Sequence, residues 1–412
     1  MNCRHCAAPL HHTFLDLGFA PPSNAYLAAR DLHAPETWLP LKLHVCTHCW
    51  LVQTEDYARA DELFRHDYAY FSSTSSTWLE HARRYSEMIR HRLSLDHDSM
   101  VVEIASNDGY LLRNFLAARI PCLGIEPTDG TAAAAAALGI PVLREFFGER
   151  LARRLAAAGQ QADLLIGNNV YAHVPDIDDF TAGLKILLKP RGTVTLEFPH
   201  LLQLVGQTQF DTIYHEHYSY LSLFTVTRLF SHAGLRVLDV EELPTHGGSL
   251  RIYGCHIDDP RPESNAVATI IERERQAGLR SLSTYAQFQS RVERIKDDLL
   301  TFLIAQKRAG RKVAAYGAAA KGNTLLNFAG IRPDLIRFVC DAAPAKQGKF
   351  LPGSHIPILA PEVLKDERPD LLLVLPWNIL DEVMRENAFI AQWGGRFVVP
   401  LPELTVIPEL PA

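Results

Sequence analysis

The chain has 412 residues, and its 41 lysines and arginines against 47 aspartates and glutamates give a formal net charge of -6. That length exceeds one ordinary core and predicts two or three domains, while the acidic balance excludes the basic field that binds a nucleic-acid backbone. No window approaches the roughly 20 apolar residues of a membrane span, and the N-terminus has no apolar signal-peptide segment. We therefore expect a soluble cytoplasmic protein that binds neither nucleic acid nor membrane.

Four of the seven cysteines form two closely spaced pairs near the N-terminus, Cys3-x-x-Cys6 and Cys46-x-x-Cys49. In a reducing compartment such pairs are seldom disulfides. Two of them can complete a closed tetrahedral zinc site, with a redox dithiol as the alternative. Because four thiolates leave no coordination position for a substrate, we predict a structural zinc ion in a loop-rich module over residues 1–65.

Strand and helix patterns alternate through the middle of the chain. A helix is predicted at 78–93, followed by strands at 99–104, 122–125, 163–166 and 193–197 and helices at 111–119, 131–138 and 180–188. This alternation is typical of a parallel sheet with helices on both faces. We predict an α/β domain over residues 66–260.

The last third of the chain repeats this alternation after a helical segment. Apolar residues three and four positions apart over 285–302 predict a long amphipathic helix within a linking segment, residues 261–305. Strands are then predicted at 312–316, 337–340, 371–375 and 396–399. We expect a second α/β domain over residues 306–412.

The first predicted strand of the middle domain leads into a turn of small and polar residues. The next strand ends at Glu126, whose carboxylate can accept both hydroxyls of a ribose. Open α/β sheets bind ligands at this carboxyl edge, so the sequence predicts a site for an adenosine-containing ligand. Its candidate residues are Glu103, Ala105, Asn107, Gly109, Glu126 and Asn168.

The densest group of ionisable side chains is Tyr214-His215-Glu216-His217. A histidine suits a general base because its ordinary pKa is about 6.5. Two alternatives are a metal site formed by His215 and His217, and a polar loop without chemistry.

A second strand and small-residue turn run from Tyr316 to Lys321. Lys321 can meet a phosphate as a point charge at a helix start, and Asp341 ends the next strand. Read alone, the turn also suits a dinucleotide, although its glycines do not fit G-x-G-x-x-G. Trp377 follows a later strand at the same edge, where a hydrophobic anchor between domains is the alternative role.

Taken together, these motifs resemble one enzyme family over essentially the whole chain. They are the cysteine module, Glu-Ile-x-x-Asn-Asp-Gly (103–109), Gly-Ile-Glu-Pro (124–127), Phe-Asp-x-Ile-Tyr-x-Glu-His (210–217), His-Gly-Gly (246–248) and Tyr-Gly-Ala-x-Ala-Lys (316–321). The chain is similar to S-adenosylmethionine-dependent C-methyltransferases of NDP-4-keto-deoxysugars. One departure is Ala105, where the family commonly has glycine, and we expect its methyl group to shift the methionine end slightly without abolishing binding.

The resemblance implies a class I methyltransferase domain with a Rossmann-like fold, a zinc-binding N-terminal module and a Rossmann-like C-terminal domain. It implies S-adenosylmethionine as cofactor and a nucleotide sugar, dTDP-linked in our expectation, as substrate. The catalytic assignment is His217 as base, Glu216 orienting it and Tyr214 contacting the substrate or the sulfonium. Tyr70, with Tyr68, would close over the cofactor. The substrate-binding candidates are His173, His246, Tyr316, Lys321 and Trp377.

Two other functions fit parts of the pattern. One is an NAD-dependent sugar-nucleotide oxidoreductase or epimerase that uses the C-terminal turn, and the other is a non-catalytic binding module held together by zinc. The sequence does not identify the nucleotide base, the sugar or the methylated face. It leaves the oligomeric state open, with a monomer as the expectation.

Overall fold

The computed structural model describes residues 1–57 and 71–408 of the protein. Within them the chain forms three sheets, of four, seven and six strands. None of the described helices is long and apolar enough to cross a membrane.

The N-terminal sheet has the strand order β1-β2-β3-β9. Its strands are β1 (His12–Ala20), β2 (Leu39–Val45), β3 (Val52–Thr54) and β9 (Ser219–Tyr220). The first three belong to the cysteine module, but β9 lies more than 150 residues further along the chain and pairs antiparallel with β3 through Val52 and Tyr220. The module is therefore joined by backbone hydrogen bonds to the segment that directly follows His217.

The central sheet has the strand order β10-β11-β8-β7-β4-β5-β6. Its strands are β4 (Val101–Ile104), β5 (Cys122–Ile125), β6 (Val142–Leu143), β7 (Ala162–Asn168), β8 (Leu188–Pro199), β10 (Leu235–Leu243) and β11 (Ser249–His256). Neighbours from β8 to β6 are parallel, whereas β11 is antiparallel to both β8 and β10. The sheet is thus mixed: its five strands from β8 to β6 are parallel, as the alternation predicted, and the β10-β11 hairpin adds an antiparallel edge. The short connection from Leu243 to Ser249 permits only an antiparallel hairpin.

Helices cover both faces of the central sheet, as the sequence predicted. They are α1 (Ser76–Leu93), α2 (Leu112–Ala117), α3 (Asp129–Ala137), α4 (Glu149–Ala157), α5 (Ile177–Leu187), α6 (Leu201–Gly206) and α7 (Leu223–Ala233). Val102 and Leu165 pack on one face with α5 and α7, and Val101 and Leu164 pack on the other with α1 and α2. This burial fixes the carboxyl edge on which the ligand-binding turn stands.

The C-terminal part begins with α8 (Asn265–Gln276), α9 (Leu282–Ala286) and the long α10 (Phe288–Arg308). A six-stranded sheet follows in the order β14-β13-β12-β15-β16-β17, parallel except for β17. Its strands are β12 (Val313–Tyr316), β13 (Val339–Cys340), β14 (Ile358–Leu359), β15 (Leu371–Val374), β16 (Arg396–Val399) and β17 (Thr405–Val406), with helices α11 (Ala320–Phe328), α12 (Val363–Glu367) and α13 (Leu380–Glu386). The exact domain boundaries stay a prediction.

One hydrophobic cluster joins the N-terminal sheet, α10 and the C-terminal sheet. Phe14 of β1 packs with Phe288 of α10, and the same cluster contains Ala315 of β12. Burial of aromatic side chains of this size dominates core stability. The cysteine module is therefore packed against α10 and the C-terminal sheet. This packing brings its loops close to the carboxyl edges of both α/β sheets.

Candidate active site

The four module cysteines converge on one point, and the ligand atoms of all four lie within 4.8 Å of one another. The Sγ atoms of Cys3 and Cys49 are 3.5 Å apart, as are those of Cys6 and Cys46. Tetrahedral zinc with Zn–S bonds of about 2.3 Å holds its sulfurs about 3.8 Å apart, so the arrangement fits a zinc ion. Nδ1 of His5, which stands between Cys3 and Cys6, lies 2.8 Å from the Asp178 carboxylate.

The turn after β4 has a left-handed backbone at three positions, with φ values of 57° at Ala105, 50° at Asn107 and 78° at Gly109. At Gly109 a Cβ atom would lie 2.5 Å from Cδ1 of Ile140, so only glycine fits. Ala105 adopts a conformation that costs a residue with a Cβ about 1–2 kcal/mol. This explains why glycine is common there in the family that the sequence resembles.

Carboxylates surround this turn. Glu126 accepts hydrogen bonds from the backbone N–H groups of Asn107 and Thr128, each at 2.9 Å, and from the Thr128 hydroxyl at 2.5 Å. Burial, together with the charges of Glu126 and Asp108, raises the pKa of Glu103 well above its usual value. The first site therefore gathers three carboxyl groups, those of Glu103, Asp108 and Glu126, which suits the cationic amino and sulfonium groups of S-adenosylmethionine.

Several buried polar atoms face this edge. Among the residues that the structure describes, Oδ1 of Asp108 and both side-chain polar atoms of Asn168 have no hydrogen-bond partner. Buried polar groups are rarely left in that state, and a polar ligand at this edge would satisfy them. The backbone N–H groups of Ser72 and Ser73 bind the side chains of Asn107 and Asp108, so the segment after residue 70 covers the turn. Tyr68 and Tyr70 lie outside the described residues.

Next to Asn168 lies a charged network that the sequence analysis did not assign. Glu197 at the end of β8 accepts hydrogen bonds from Arg251 at 2.9 Å and from Thr245 at 2.9 Å, and its carboxylate lies 3.0 Å from Nε2 of His81. Burial raises the pKa of Glu197, but the hydrogen bond from His81 and the charge of Arg251 outweigh it and leave the pKa below its usual value. The signal available in the sequence was an acidic strand end directly beside Asn168.

His217 is buried, and its neighbours include His173 and His246 of the central part and Lys321 of the C-terminal part. We call the region around these four residues the cleft. Its Nδ1 atom is 2.8 Å from the carbonyl oxygen of Thr212, and because a carbonyl only accepts, Nδ1 carries the proton. Burial and the proximity of His173 lower the pKa of His217 well below its usual value. The ring is therefore a neutral imidazole whose Nε2 atom holds the basic lone pair.

The other residues of this motif, Tyr214, His215 and Glu216, contact different groups. Glu216 accepts a hydrogen bond from the Asn24 amide at 2.7 Å, while the Thr212 carbonyl orients the His217 ring. The role of Glu216 in orienting His217 stays a prediction. The Tyr214 ring lies 4.0 Å from that of His217. Nε2 of His215 is 3.1 Å from the Pro40 carbonyl oxygen, and the described residues contain no metal-ligating group of three at this place.

Two further predicted residues lie beside His217. The His173 ring is 4.5 Å from it, and burial lowers the pKa of His173 to about 4. His246 has a left-handed backbone, contacts Asn169 at 3.3 Å and packs against Trp78. Burial and the charge of Lys321 lower the pKa of His246 to about 4. The cleft thus holds three histidines that are neutral at physiological pH.

Lys321 and Trp377 reach this cleft from the C-terminal sheet. The Trp377 indole N–H donates to Asp211 at 2.7 Å, and the Lys321 ammonium donates to Asn378 at 2.8 Å while lying over the Trp377 ring. Burial raises the pKa of Asp211 to about 6 against the opposing charge of Lys321. At Gly247 a Cβ atom would lie 2.3 Å from the Trp377 ring. Trp377 therefore joins the two α/β parts, which was the alternative reading of this residue.

Tyr316 lies elsewhere. Its side chain is buried with Phe338 and Val383 on the face of the C-terminal sheet opposite to Ala315, because successive strand residues point to opposite faces. The structure does not bring it into the group formed by Lys321 and Trp377. Sequence spacing alone had placed it with Lys321.

The polar groups of the turn after β12 are bound by other residues of the protein. Asp341 accepts hydrogen bonds from the backbone N–H groups of Ala318 and Ala343 at 2.8 Å each. The hydroxyl of Tyr26, from the cysteine module, donates to the Ala318 carbonyl at 2.6 Å. A residue of the module therefore lies where a dinucleotide would pass this turn, which counts against the oxidoreductase alternative.

Comparison with known proteins agrees with this architecture. Three family models match, described as a zinc binding domain (residues 3–64), a methyltransferase domain (residues 78–240) and a C-methyltransferase C-terminal domain (residues 244–402). The chain is 35% identical over 409 residues to the C-methyltransferase NovU of Streptomyces niveus, which covers 98% of this chain and 96% of that protein.

The solved structures of two methyltransferases match less than half of this chain. A magnesium protoporphyrin IX methyltransferase from Synechocystis PCC 6803 with bound S-adenosylmethionine is 12% identical, covers 44% of this chain and 81% of its own, and has a TM-score of 0.33. An S-adenosylmethionine-dependent methyltransferase from Clostridium acetobutylicum is 10% identical, covers 43% of this chain and 92% of its own, and has a TM-score of 0.35.

The family is established by the relative that spans the chain and by the three models in their order. They confirm the predicted fold class, the cysteine zinc site and the use of S-adenosylmethionine, and they leave the oxidoreductase and non-catalytic alternatives without support. The chain belongs to the family of S-adenosylmethionine-dependent C-methyltransferases with an N-terminal zinc-binding domain.

Proposed function

We propose that this enzyme methylates the carbon beside the ketone of an NDP-4-keto-deoxysugar, most naturally a dTDP-linked one. The observation that carries the proposal is the position of His217, a neutral histidine in a cleft that Lys321 and Trp377 enter from a second domain. A nucleotide sugar needs both features, namely a base for its acidic C–H bond and a cation for its diphosphate.

In this proposal Nε2 of His217 removes the proton beside the ketone. The Thr212 carbonyl holds Nδ1–H and thereby sets both the tautomer and the plane of the ring. Burial keeps the ring neutral, so that it is ready to accept a proton at physiological pH. Orientation of this kind contributes much of the rate in reactions that require two groups in near contact.

In this proposal residues of the C-terminal domain hold the diphosphate of the substrate. Lys321 supplies the positive charge, and Trp377, fixed by Asp211, supplies an apolar wall next to it. His173 and His246 line the cleft between Lys321 and His217 and offer neutral hydrogen-bonding groups to the sugar. A charged donor acting inside a water-poor cleft stabilises developing negative charge more strongly than it does in water.

The candidate cofactor residues lie at the carboxyl edge of the central sheet. S-adenosylmethionine supplies an electrophilic methyl group when it is bound. The turn from Ala105 to Gly109, together with Glu126 and Asn168, would hold it, because this edge combines acidic groups with buried polar atoms that have no partner within the described ranges. In this proposal the acidic edge binds S-adenosylmethionine, and the cationic cleft binds the nucleotide sugar.

The test is turnover with a defined acceptor panel. Purified enzyme is incubated with methyl-labelled S-adenosylmethionine and a series of NDP-4-keto-6-deoxysugars, and the product masses and fragments are measured. Label bound to a sugar carbon is the expected result. Binding of S-adenosylmethionine without label on any sugar of the panel would contradict the proposed substrate class.

The base is tested separately by His217→Asn. This substitution removes Nε2 as a base while keeping a polar side chain, so we expect proton removal to fall by about 100- to 10,000-fold with S-adenosylmethionine binding unchanged. Exchange of the sugar C–H into D₂O in the presence of S-adenosylhomocysteine measures proton removal without methyl transfer. Full exchange activity in the variant would remove His217 from this role.

A further inference from the structure

The zinc-binding module makes a side-chain contact with the catalytic motif. The amide Nδ2 of Asn24 donates to Oε1 of Glu216 at 2.7 Å. A carboxylate accepts and does not donate, so the amide nitrogen must be the atom that faces it. Charge-assisted hydrogen bonds of this length are among the stronger contacts in proteins.

The loop that carries Asn24 is held by the C-terminal domain on both sides. The Asn323 amide donates to the carbonyl of Ser23 at 2.5 Å, and the Tyr26 hydroxyl donates to the carbonyl of Ala318 at 2.6 Å. Leu27 and Phe350 then exchange two backbone hydrogen bonds of 3.0 and 2.8 Å. Asn24 is therefore the tip of a loop whose position the C-terminal domain determines.

The motif itself is attached to the same module along its backbone. The Thr54 hydroxyl donates to the carbonyl of His217 at 3.2 Å, and the Thr54 N–H donates to the carbonyl of Tyr218 at 3.1 Å. These contacts hold the main chain of the motif, whereas the Pro40 carbonyl and the Asn24 amide reach two of its side chains, His215 and Glu216. Of these module contacts, the one from Asn24 can set the direction of the Glu216 carboxylate.

We propose that Asn24 is a positioning residue of the active site, which holds the Glu216 carboxylate in the orientation that the reaction needs. The inference rests on the proposed function and adds to it that Glu216, the residue before His217, takes part in proton removal. It gives the N-terminal module a part in catalysis through this loop, in addition to the stability that its zinc ion supplies.

Two substitutions test the contact. Asn24→Ala removes the donor, and Asn24→Asp keeps the shape but places a second carboxylate oxygen against Glu216. We expect kcat to fall about tenfold for the first and further for the second, since lost hydrogen bonds to charged groups have effects of this size. The KM values for both substrates should change little, because neither ligand needs Asn24. The matched control is Asn265→Asp, at an exposed asparagine of α8.

A double-mutant cycle separates positioning from a general structural effect. If Asn24 acts through Glu216, the effect of Asn24→Ala on D₂O exchange should shrink from about tenfold to about twofold in a Glu216→Gln background. Equal effects in both backgrounds, or wild-type kcat in both Asn24 variants while wild-type enzyme methylates a keto-sugar, would overturn the inference and leave the proposed function standing.

One measurement does not depend on the substrate. In crystals of the substrate-free enzyme the Glu216 carboxylate should leave its wild-type orientation in Asn24→Ala, while zinc content, melting temperature and the Ala105–Gly109 turn stay as in the wild type. An unchanged Glu216 carboxylate would contradict the positioning role even if no keto-sugar of the panel reacts.

Discussion

The turns after β4 and β12 have the same construction and opposite charge. In each, the first residue has a positive φ, 57° at Ala105 and 91° at Gly317, and its N–H donates to the residue before an acidic strand end. The acid, Glu126 or Asp341, accepts one N–H from the turn and one from two residues further along. The backbone therefore does not distinguish the two sites.

The side chains around the turns do distinguish them. Glu103 and Asp108 make the first site acidic, whereas Lys346 contacts Asp341 at 3.3 Å and Lys321 stands at the start of α11 in the second. The second turn is also covered by Tyr26 of the zinc-binding module. Under the proposed function the two similar turns would serve a cationic cofactor and an anionic substrate because their charged neighbours differ, and experiment can test that difference.

Removal of zinc should produce the largest difference in behaviour between the two sites. The module contacts the second turn through Tyr26 and the catalytic motif through Thr54, and loss of its metal would release both. We expect methyl transfer to fall on the order of 100-fold, as displacements of about 1 Å can cause, while S-adenosylmethionine still binds. Chelation followed by calorimetric titration measures this, and activity should return when zinc is restored. Parallel loss of cofactor binding would show that the sites are not separable.

The acidic strand ends should give opposite phenotypes. Glu126→Gln weakens the acceptor of the first turn, so the dissociation constant of S-adenosylmethionine should rise about 10- to 100-fold with little change in the KM of the sugar. Asp341→Asn, the matched substitution, should leave cofactor binding unchanged and raise the sugar KM. Titration calorimetry and steady-state kinetics on both variants test the assignment, which fails if they share one phenotype.

Removing the positive charge of the second site should have a smaller, pH-dependent effect. We expect Lys321→Gln to raise the sugar KM by about tenfold. The charge of Lys321 helps to lower the pKa of His217 and His246, so its loss raises both values and moves the acid limb of kcat/KM to higher pH. In wild-type enzyme that limb should lie below pH 6.5, because the base stays neutral to lower pH. The control is Lys307→Gln at an exposed ion pair with Asp334, which should leave the profile unchanged.

Exchanging the first residue of each turn tests the stability of the fold, and the smallest effect of all is expected for Ala105→Gly. Ala105→Gly relieves a left-handed conformation and should raise the free energy of unfolding by up to about 1 kcal/mol. Gly317→Ala should lower it by about 2–4 kcal/mol, because its Cβ would lie 2.4 Å from Cδ of Pro376. Melting temperatures of the two variants measure the contrast. Equal shifts would mean that local strain does not distinguish the turns.

Much of the fold was predictable because it depends on short-range patterns. The strand Cys122–Ile125 and the strand Arg396–Val399 have the predicted bounds, since runs of apolar residues next to turns identify strands locally. The strands around His246 were not assigned, because their pairing with Glu197 and its neighbours depends on residues about 50 positions away. The paired glycines fitted a turn between strands without indicating where the hairpin would pack.

The sequence by itself determined the zinc ligands, the two turns and the family, because each is encoded by residue types at fixed, short spacing. Only the tertiary structure decided which groups surround His217. Thr212 orients it, Asn24 binds its neighbour Glu216, and Asp211 fixes Trp377 beside Lys321. Tyr316 does not belong to the groups near Lys321, because successive strand residues point to opposite faces and its side chain lies on the other face of the C-terminal sheet. The contacts of Asn24 and Asp211 span 192 and 166 residues and depend on how three sheets pack, and no local pattern records that packing.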